Sequence, residues 1–253
     1  MTVIEFYEKL SELYPTSLSC EWDNDGLMVC PDKNAQVRKV LVSLDATDGA
    51  IKAAMDVGAD LILTHHPLIF RPLRSLTPDN VTAKRAISAF TAGISVISLH
   101  TRLDAGDGGV NDALASALGL AEVEKFGGSG ADGMGRIGVT SETSLPQFAE
   151  CVKNKLGASV VTYSGNRPVK RVAVLGGSGG DFFSAAVRAG ADTIVTGEAG
   201  YNSMIDTAEG GLNVVLGGHY FTENPVCDVL AGLAKNIAGA EATVYSSNTV
   251  GAV

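Results

Sequence analysis

The chain has four histidines, and each follows an apolar run. His65 and His66 follow Leu61-Ile62-Leu63-Thr64, His100 follows Val96-Ile97-Ser98-Leu99, and His219 follows Val214-Val215-Leu216-Gly217-Gly218. Asp104 and Glu223 come four residues after His100 and His219. Imidazole nitrogens and carboxylate oxygens at strand ends are the materials of a catalytic transition-metal centre. A lone His-His pair is more often structural than metal-binding. Three such clusters with carboxylates at matched spacing turn that balance toward metal.

If the backbone stays extended at His65-His66, the two side chains point to opposite sides, which suits two metals better than one shared metal. Pro67 biases His66 toward an extended conformation. Asp104 and Glu223 are expected in loops before helices, with Asn224-Pro225 as N-cap and first-turn proline. His100 is open at this level: a ligand, an orienting group or a general acid. Three neutral imidazoles and two carboxylates leave net positive charge on two divalent ions, which favours an anionic substrate. Mixed nitrogen and oxygen donors point to Zn, Mn, Fe, Co or Ni, not to Ca or Mg.

An internal repeat positions these groups. Val37–Val42 aligns without a gap on Val169–Val174, and the match continues through Gly58-Ala59-Asp60 over Gly190-Ala191-Asp192 to Thr64 over Thr196. Each copy has the pattern strand, helix, glycine, strand, a βαβ unit whose strands are parallel. A third strand precedes His100 in one copy and His219 in the other. The expected fold class is α/β, with two similar βαβ-containing halves facing each other across a metal-binding cleft. The halves are placed at 1–126 and 127–253, the second entered through a Gly-rich, flexible loop at 127–135. A strand over Arg136–Thr140, a helix over Leu145–Leu156 and a strand over Ser159–Tyr163 follow.

The 253 residues are 45% apolar and carry a net charge of −9. That suffices for a proper core and argues against a nucleic-acid partner or an anionic membrane surface. Four dispersed cysteines fit reduced, mostly buried thiols. No apolar run reaches the ~20 residues of a spanning helix and the N-terminus lacks a signal pattern, so a cytoplasmic protein is expected.

Other segments have both a functional and a bland reading. Leu175–Asp181, rich in glycine, could cradle a phosphate, but lacks the P-loop Lys-Ser/Thr. The favoured reading is a tight turn keeping the backbone close to the metal cleft. Glu198 takes the place of His66 in the repeat and is a candidate catalytic, substrate-contacting or orienting group, or a simply solvated one. Arg71, Arg74 and Arg102 could meet an anionic substrate or form surface salt bridges. Asp23-Asn24-Asp25-Gly26 is a turn signal, with Trp22 as the loop's anchor.

Trp22–Leu27, Thr64–Phe70, His100–Asp104, Gly108–Asp112 and Gly218–Glu223 together resemble the NGG-interacting-factor-three-like family, whose members are often called GTP cyclohydrolase I type 2. The resemblance spans nearly the whole chain and matches the short form. It implies two similar α/β halves enclosing a dinuclear metal site, in a homohexamer built as a trimer of dimers. By motif, the metal ligands would be His65, His66, Asp104, His219 and Glu223, with His100 beside them. Arg102 and Glu198 stand where the family commonly has Asn and Asp. The expected function is a dinuclear metal-dependent hydrolase, with two divalent transition-metal ions per chain and a nucleotide or other phosphate-bearing small molecule as substrate. Ring opening of GTP is the specific version, with His100 or Glu198 moving protons. The alternative is a metal-binding regulatory or scaffold ring without turnover.

Overall fold

We describe a computed structural model covering residues 1–127 and 133–252. The Gly-rich connection expected at 127–135 lies in part outside the described residues. The chain is mixed α/β with two sheets, and it divides into two compact units. One comprises Met1–Leu103 and Val226–Asn248, the other Asp104–Pro225 and Thr249–Val253. This division by compactness differs from that of the repeat, because the last helix and strand return to the first sheet.

In the first unit, α1 (Val3–Leu13) starts in a capping box, Thr2 with Glu5, and buries Val3, Phe6 and Leu10 along one stripe. After it come β1 (Gly26–Val29), β2 (Lys39–Ser43), α2 (Asp48–Val57), β3 (Leu61–Thr64), α3 (Val81–Thr91) and β4 (Ser95–Ser98). The one-turn helix α4 (Thr101–Ala105) spans the boundary between units. Strands β2, β3 and β4 are parallel, and β1 closes one edge antiparallel to β4. Every residue of β3 and β4 is buried. Central parallel strands are covered on both faces, which is why they read as apolar runs.

The second unit begins with α5 (Val110–Leu118), β5 (Ala121–Phe126), β6 (Gly135–Thr143), α6 (Leu145–Leu156) and β7 (Thr162–Ser164). It continues with β8 (Val169–Ser178), α7 (Phe183–Arg188), β9 (Thr193–Glu198), α8 (Tyr201–Glu209), β10 (Asn213–Leu216) and α9 (His219–Glu223). Its sheet has the order β5-β6-β8-β9-β10-β7, with β8, β9 and β10 parallel. Residues of α5 and α6 cluster with Val172, Val174, Val195 and Val215. Residues of α7 and α8 cluster with Ala173, Ile194 and Val214. Alternate strand residues thus go to opposite helical layers. Strand β6 is longer than expected, and in place of the strand expected at Ser159–Tyr163 only the shorter, shifted edge strand β7 forms at Thr162–Ser164.

The chain then returns to the first unit through α10 (Val226–Ala238) and β11 (Glu241–Val244), which pairs parallel with β2. Helix α10 packs on β2 and β3.

The repeat holds in atomic detail. Gly58 and Gly190 both take left-handed φ, 67° and 80°, after α2 and α7. Asp60 accepts from the backbone N–H groups of Arg38 and Lys39 at 2.8 and 2.9 Å. Asp192 does the same for Lys170 and Arg171, at 3.0 and 2.7 Å. In each copy this aspartate fixes the second βαβ strand against the first, and so sets where Thr64 and Thr196 end their runs.

Among the described residues, no helix is long and apolar enough to cross a membrane. The four cysteines form no disulfide, but only Cys227 is buried, a correction to the expectation of mostly buried thiols.

Candidate metal centre

In the first unit, β3 stops at Thr64 and the chain bends. The buried Thr64 hydroxyl donates to the His66 carbonyl at 2.8 Å, and His66 N–H donates to the Leu44 carbonyl at 2.9 Å. This bend overturns the opposite-sides expectation. His65, His66 and His100 each offer a nitrogen, and these nitrogens lie within 4.8 Å of one another. The strand period fails because the strand has already ended.

Each imidazole is held at Nδ1. His65, fully buried, has Nδ1 2.9 Å from the Leu99 carbonyl. A carbonyl only accepts, so this nitrogen carries the proton and Nε2 carries the lone pair. His66 Nδ1 is 2.8 Å from Asp45 Oδ1, and Asp45 is itself held by Ser247 Oγ at 3.2 Å. His100 Nδ1 is 2.8 Å from Asp23 Oδ1. Burial alone would raise the Asp23 carboxyl, but bonds from His100 and from the Thr101 hydroxyl and N–H hold it down to about 2. Asp23 is therefore anionic at neutral pH.

In the second unit, His219 opens α9 and Glu223 closes it. Both carboxylates expected in loops, Asp104 and Glu223, instead lie in one-turn helices, α4 and α9. Asn224 caps the end of α9 with its N–H on the Tyr220 carbonyl, and α10 starts only at Val226. Residues four apart share a helix face, which brings His219 Nε2 to 3.1 Å from Glu223 Oε2. Glu198 Oε1 holds His219 Nδ1 at 3.0 Å. All four histidines thus have Nδ1 on an oxygen, the arrangement that orients metal-binding imidazoles.

The Gly-rich segment takes its bland reading. Gly177, at φ 64°, leaves no room for a Cβ, which would collide with Glu223 Oε1 and lie 3.2 Å from His219 Nε2. A Cβ on Gly197 would lie 2.7 Å from His219 Cα. These glycines exist so that backbone can pass beside the His219–Glu223 pair. Asn111 ties the segment down, accepting from Gly176 N–H at 2.8 Å and donating to the Asp104 carbonyl at 3.2 Å.

Sequence reasoning missed Asp23, Asp25 and Asp45. Asp23 and Asp25 lay in a motif read only as a turn. The loop is anchored by these two carboxylates, not by Trp22, which is 64% exposed. Arg102 is neither a surface group nor a substrate contact. It is fully buried and bidentate on Asp25, Nε at 2.9 Å and Nη2 at 2.7 Å. Arg71 and Arg74 are exposed.

Imidazoles oriented through Nδ1, a buried glutamate beside one of them and a cradle of glycine backbone fit a divalent transition metal. Fold and donors together define an α/β protein of two βαβ repeats, each repeat carrying metal-type donors at the ends of its strands. The chain belongs to the Duf34/NIF3 (NGG1p interacting factor 3) family, whose model matches residues 1–250. It is 37% identical over 223 residues to a GTP cyclohydrolase 1 type 2 homolog of Clostridium perfringens, covering 86% of this chain and 85% of that one. It is 28% identical to the NIF3-like protein 1 of Drosophila melanogaster, covering 88% and 80%. Among solved structures it is similar to a Bacillus cereus protein related to NIF3, with a TM-score of 0.90, 24% identity and 100% and 99% coverage. It is also similar to reduced HcgD from Methanocaldococcus jannaschii, with a TM-score of 0.81, 28% identity and 96% and 97% coverage.

Proposed function

We propose that this chain is a dinuclear metal-dependent hydrolase acting on a nucleotide or another phosphate-bearing small molecule. His65, His66, Asp104, His219 and Glu223 hold two divalent transition-metal ions. The observation that carries the reading is the common state of the histidines. Each has Nδ1 on an oxygen, which turns Nε2 away from that partner, and His219 Nε2 faces the Glu223 carboxylate. Bound metals would supply Lewis acidity and lower the pKa of water toward neutrality.

The chain's own residues have distinct parts. His100, oriented by the Asp23 carboxylate, carries protons at Nε2 while the pair keeps its negative partner. Glu198 acts on His219 Nδ1 and is a positioning residue. Asp45 does the same for His66. The similarity to proteins named GTP cyclohydrolase 1 type 2 homolog makes GTP the first substrate to try. The homohexamer expected from the sequence resemblance belongs to the same proposal, and light scattering would read it as six chain masses.

The experiment is turnover by metal-loaded protein, with GTP and simple phosphoesters as substrates and released formate and phosphate as readouts. Product at a rate that chelation abolishes supports the hydrolase. Fully loaded protein that turns over neither class overturns it and leaves a non-catalytic metal-binding protein.

A further inference from the structure

Three aromatic rings meet in the first unit. Trp22, ahead of β1, and Phe70, after His66, lie edge to face, with centroids 6.1 Å apart and planes at 76°. Each also meets the His100 ring, at 6.2 Å and 76° for Trp22 and 5.9 Å and 85° for Phe70. Trp22 is nonetheless 64% exposed and Phe70 41%. Large aromatic side chains normally bury most of their surface, because that surface is their main contribution to stability.

The segment that carries Trp22 is held firmly. Each of the three residues after Trp22 is bonded to a different part of the unit. Asp23 takes His100 Nδ1 and the Thr101 hydroxyl, at 2.8 and 2.6 Å. Asn24 Nδ2 donates to the carbonyl of Ile69, the residue before Phe70, and so ties the two aromatic segments together. Asp25 takes the buried Arg102 guanidinium. Two exposed rings are thus held on a fixed frame, edge-on to a histidine whose Nδ1 is already engaged. Nothing in the hydrolase reading so far uses them.

We propose that Trp22 and Phe70 form a stacking subsite that receives a planar aromatic or heteroaromatic ring of the substrate beside His100. This rests on the reading that His100 serves the reacting group, and it adds what recognises the rest of the substrate. Aromatic faces bind planar rings through stacking with little dependence on which ring is presented. The exposed Arg71 and Arg74 follow Phe70 on the same segment and bring positive charge for an anionic group on the same molecule. The pair is a positioning element that sets affinity for the ring.

Trp22 is the only tryptophan of the chain, so its emission reports on this subsite alone. The test titrates full-length, metal-loaded protein with GMP and with ribose 5-phosphate, which has the phosphate but no aromatic ring. Saturable quenching by GMP and none by ribose 5-phosphate is expected. Equilibrium dialysis of Trp22→Ala and Phe70→Ala should show GMP affinity falling roughly five- to hundredfold, with ribose 5-phosphate affinity unchanged. Trp22→Phe should restore most of the GMP affinity, which a merely structural role would not require. Equal affinity for the two probes, or absence of quenching, overturns the proposal. So does an alanine variant that changes the oligomeric mass but not GMP affinity, since the rings would then face another copy of the chain. Ring binding that persists in protein without turnover supports the subsite while removing the hydrolase reading, so the two fail separately.

Discussion

Replacing Asp25 by Asn keeps the shape of the side chain and removes one charge from a buried pair. Arg102 is fully buried, and the Asp25 side chain is 4% exposed. Burial works against the guanidinium charge, but the Asp25 carboxylate outweighs it, so Arg102 stays protonated. Its other polar contacts are the Tyr14 carbonyl at 3.2 Å, the Ser11 hydroxyl at 3.5 Å and the Tyr7 hydroxyl, none of them a carboxylate. Breaking a buried pair by removing one partner costs about 3–5 kcal/mol. At roughly 2–4 °C per kcal/mol for a chain of this size, the melting temperature should drop by about 6–20 °C. The double variant Asp25→Leu with Arg102→Met removes both charges and should recover much of the loss, because no buried charge remains. Thermal unfolding followed by circular dichroism is the assay. A single variant that melts within about 2 °C of the parent, or a double variant no more stable than Asp25→Asn, would refute the reasoning.

Glu223→Ala should release metal, since it removes the carboxylate beside His219; retained full loading by elemental analysis would sink this ligand assignment. His100→Ala should keep the metals and lose turnover, and Asp23→Asn should show a milder form of the same defect; unchanged rates in His100→Ala would take it out of the mechanism. The Cys227 thiol is pushed up to about 12 by burial, with Asp228 and Asp45 adding to the effect. Its folded-state pKa is raised, so its contribution is present below pH ~9 and is lost as pH rises toward 12, by roughly 1.4 kcal/mol per pH unit. Cys227→Ala should flatten the alkaline fall in stability; an unchanged pH profile would contradict the assignment.

The parallel core was legible because its strands are apolar runs. Leu61–Thr64 and Ile194–Thr196 can only lie between two helical layers, and the Gly-Ala-Asp signature after each helix recurs because the aspartate does the same backbone job twice. The His65-His66 geometry was not legible. Period-2 reasoning assumes a strand, and whether the strand persists past Thr64 depends on a hydroxyl bond and on Leu44, which neighbouring residue types do not announce. The oxygens that orient the histidines were equally hidden. Asp23 lies 77 residues from His100, and Asp45 lies 21 from His66, so only the folded chain pairs them. Arg102 misled for the opposite reason, because a charged residue is ordinarily exposed and its buried partner sits in a motif that also makes an ordinary turn. The return of α10 and β11 to the first sheet cuts across the repeat, and a pattern of similarity says nothing about where a terminal strand pairs.

The central claim is that these donors hold two metal ions, and metal content per chain tests it most directly. Elemental mass spectrometry on untagged protein purified without chelator should find about two equivalents of a first-row transition metal. Metal-free protein that also fails to take up added Zn or Mn would contradict the account, and would make the four oriented histidines structural.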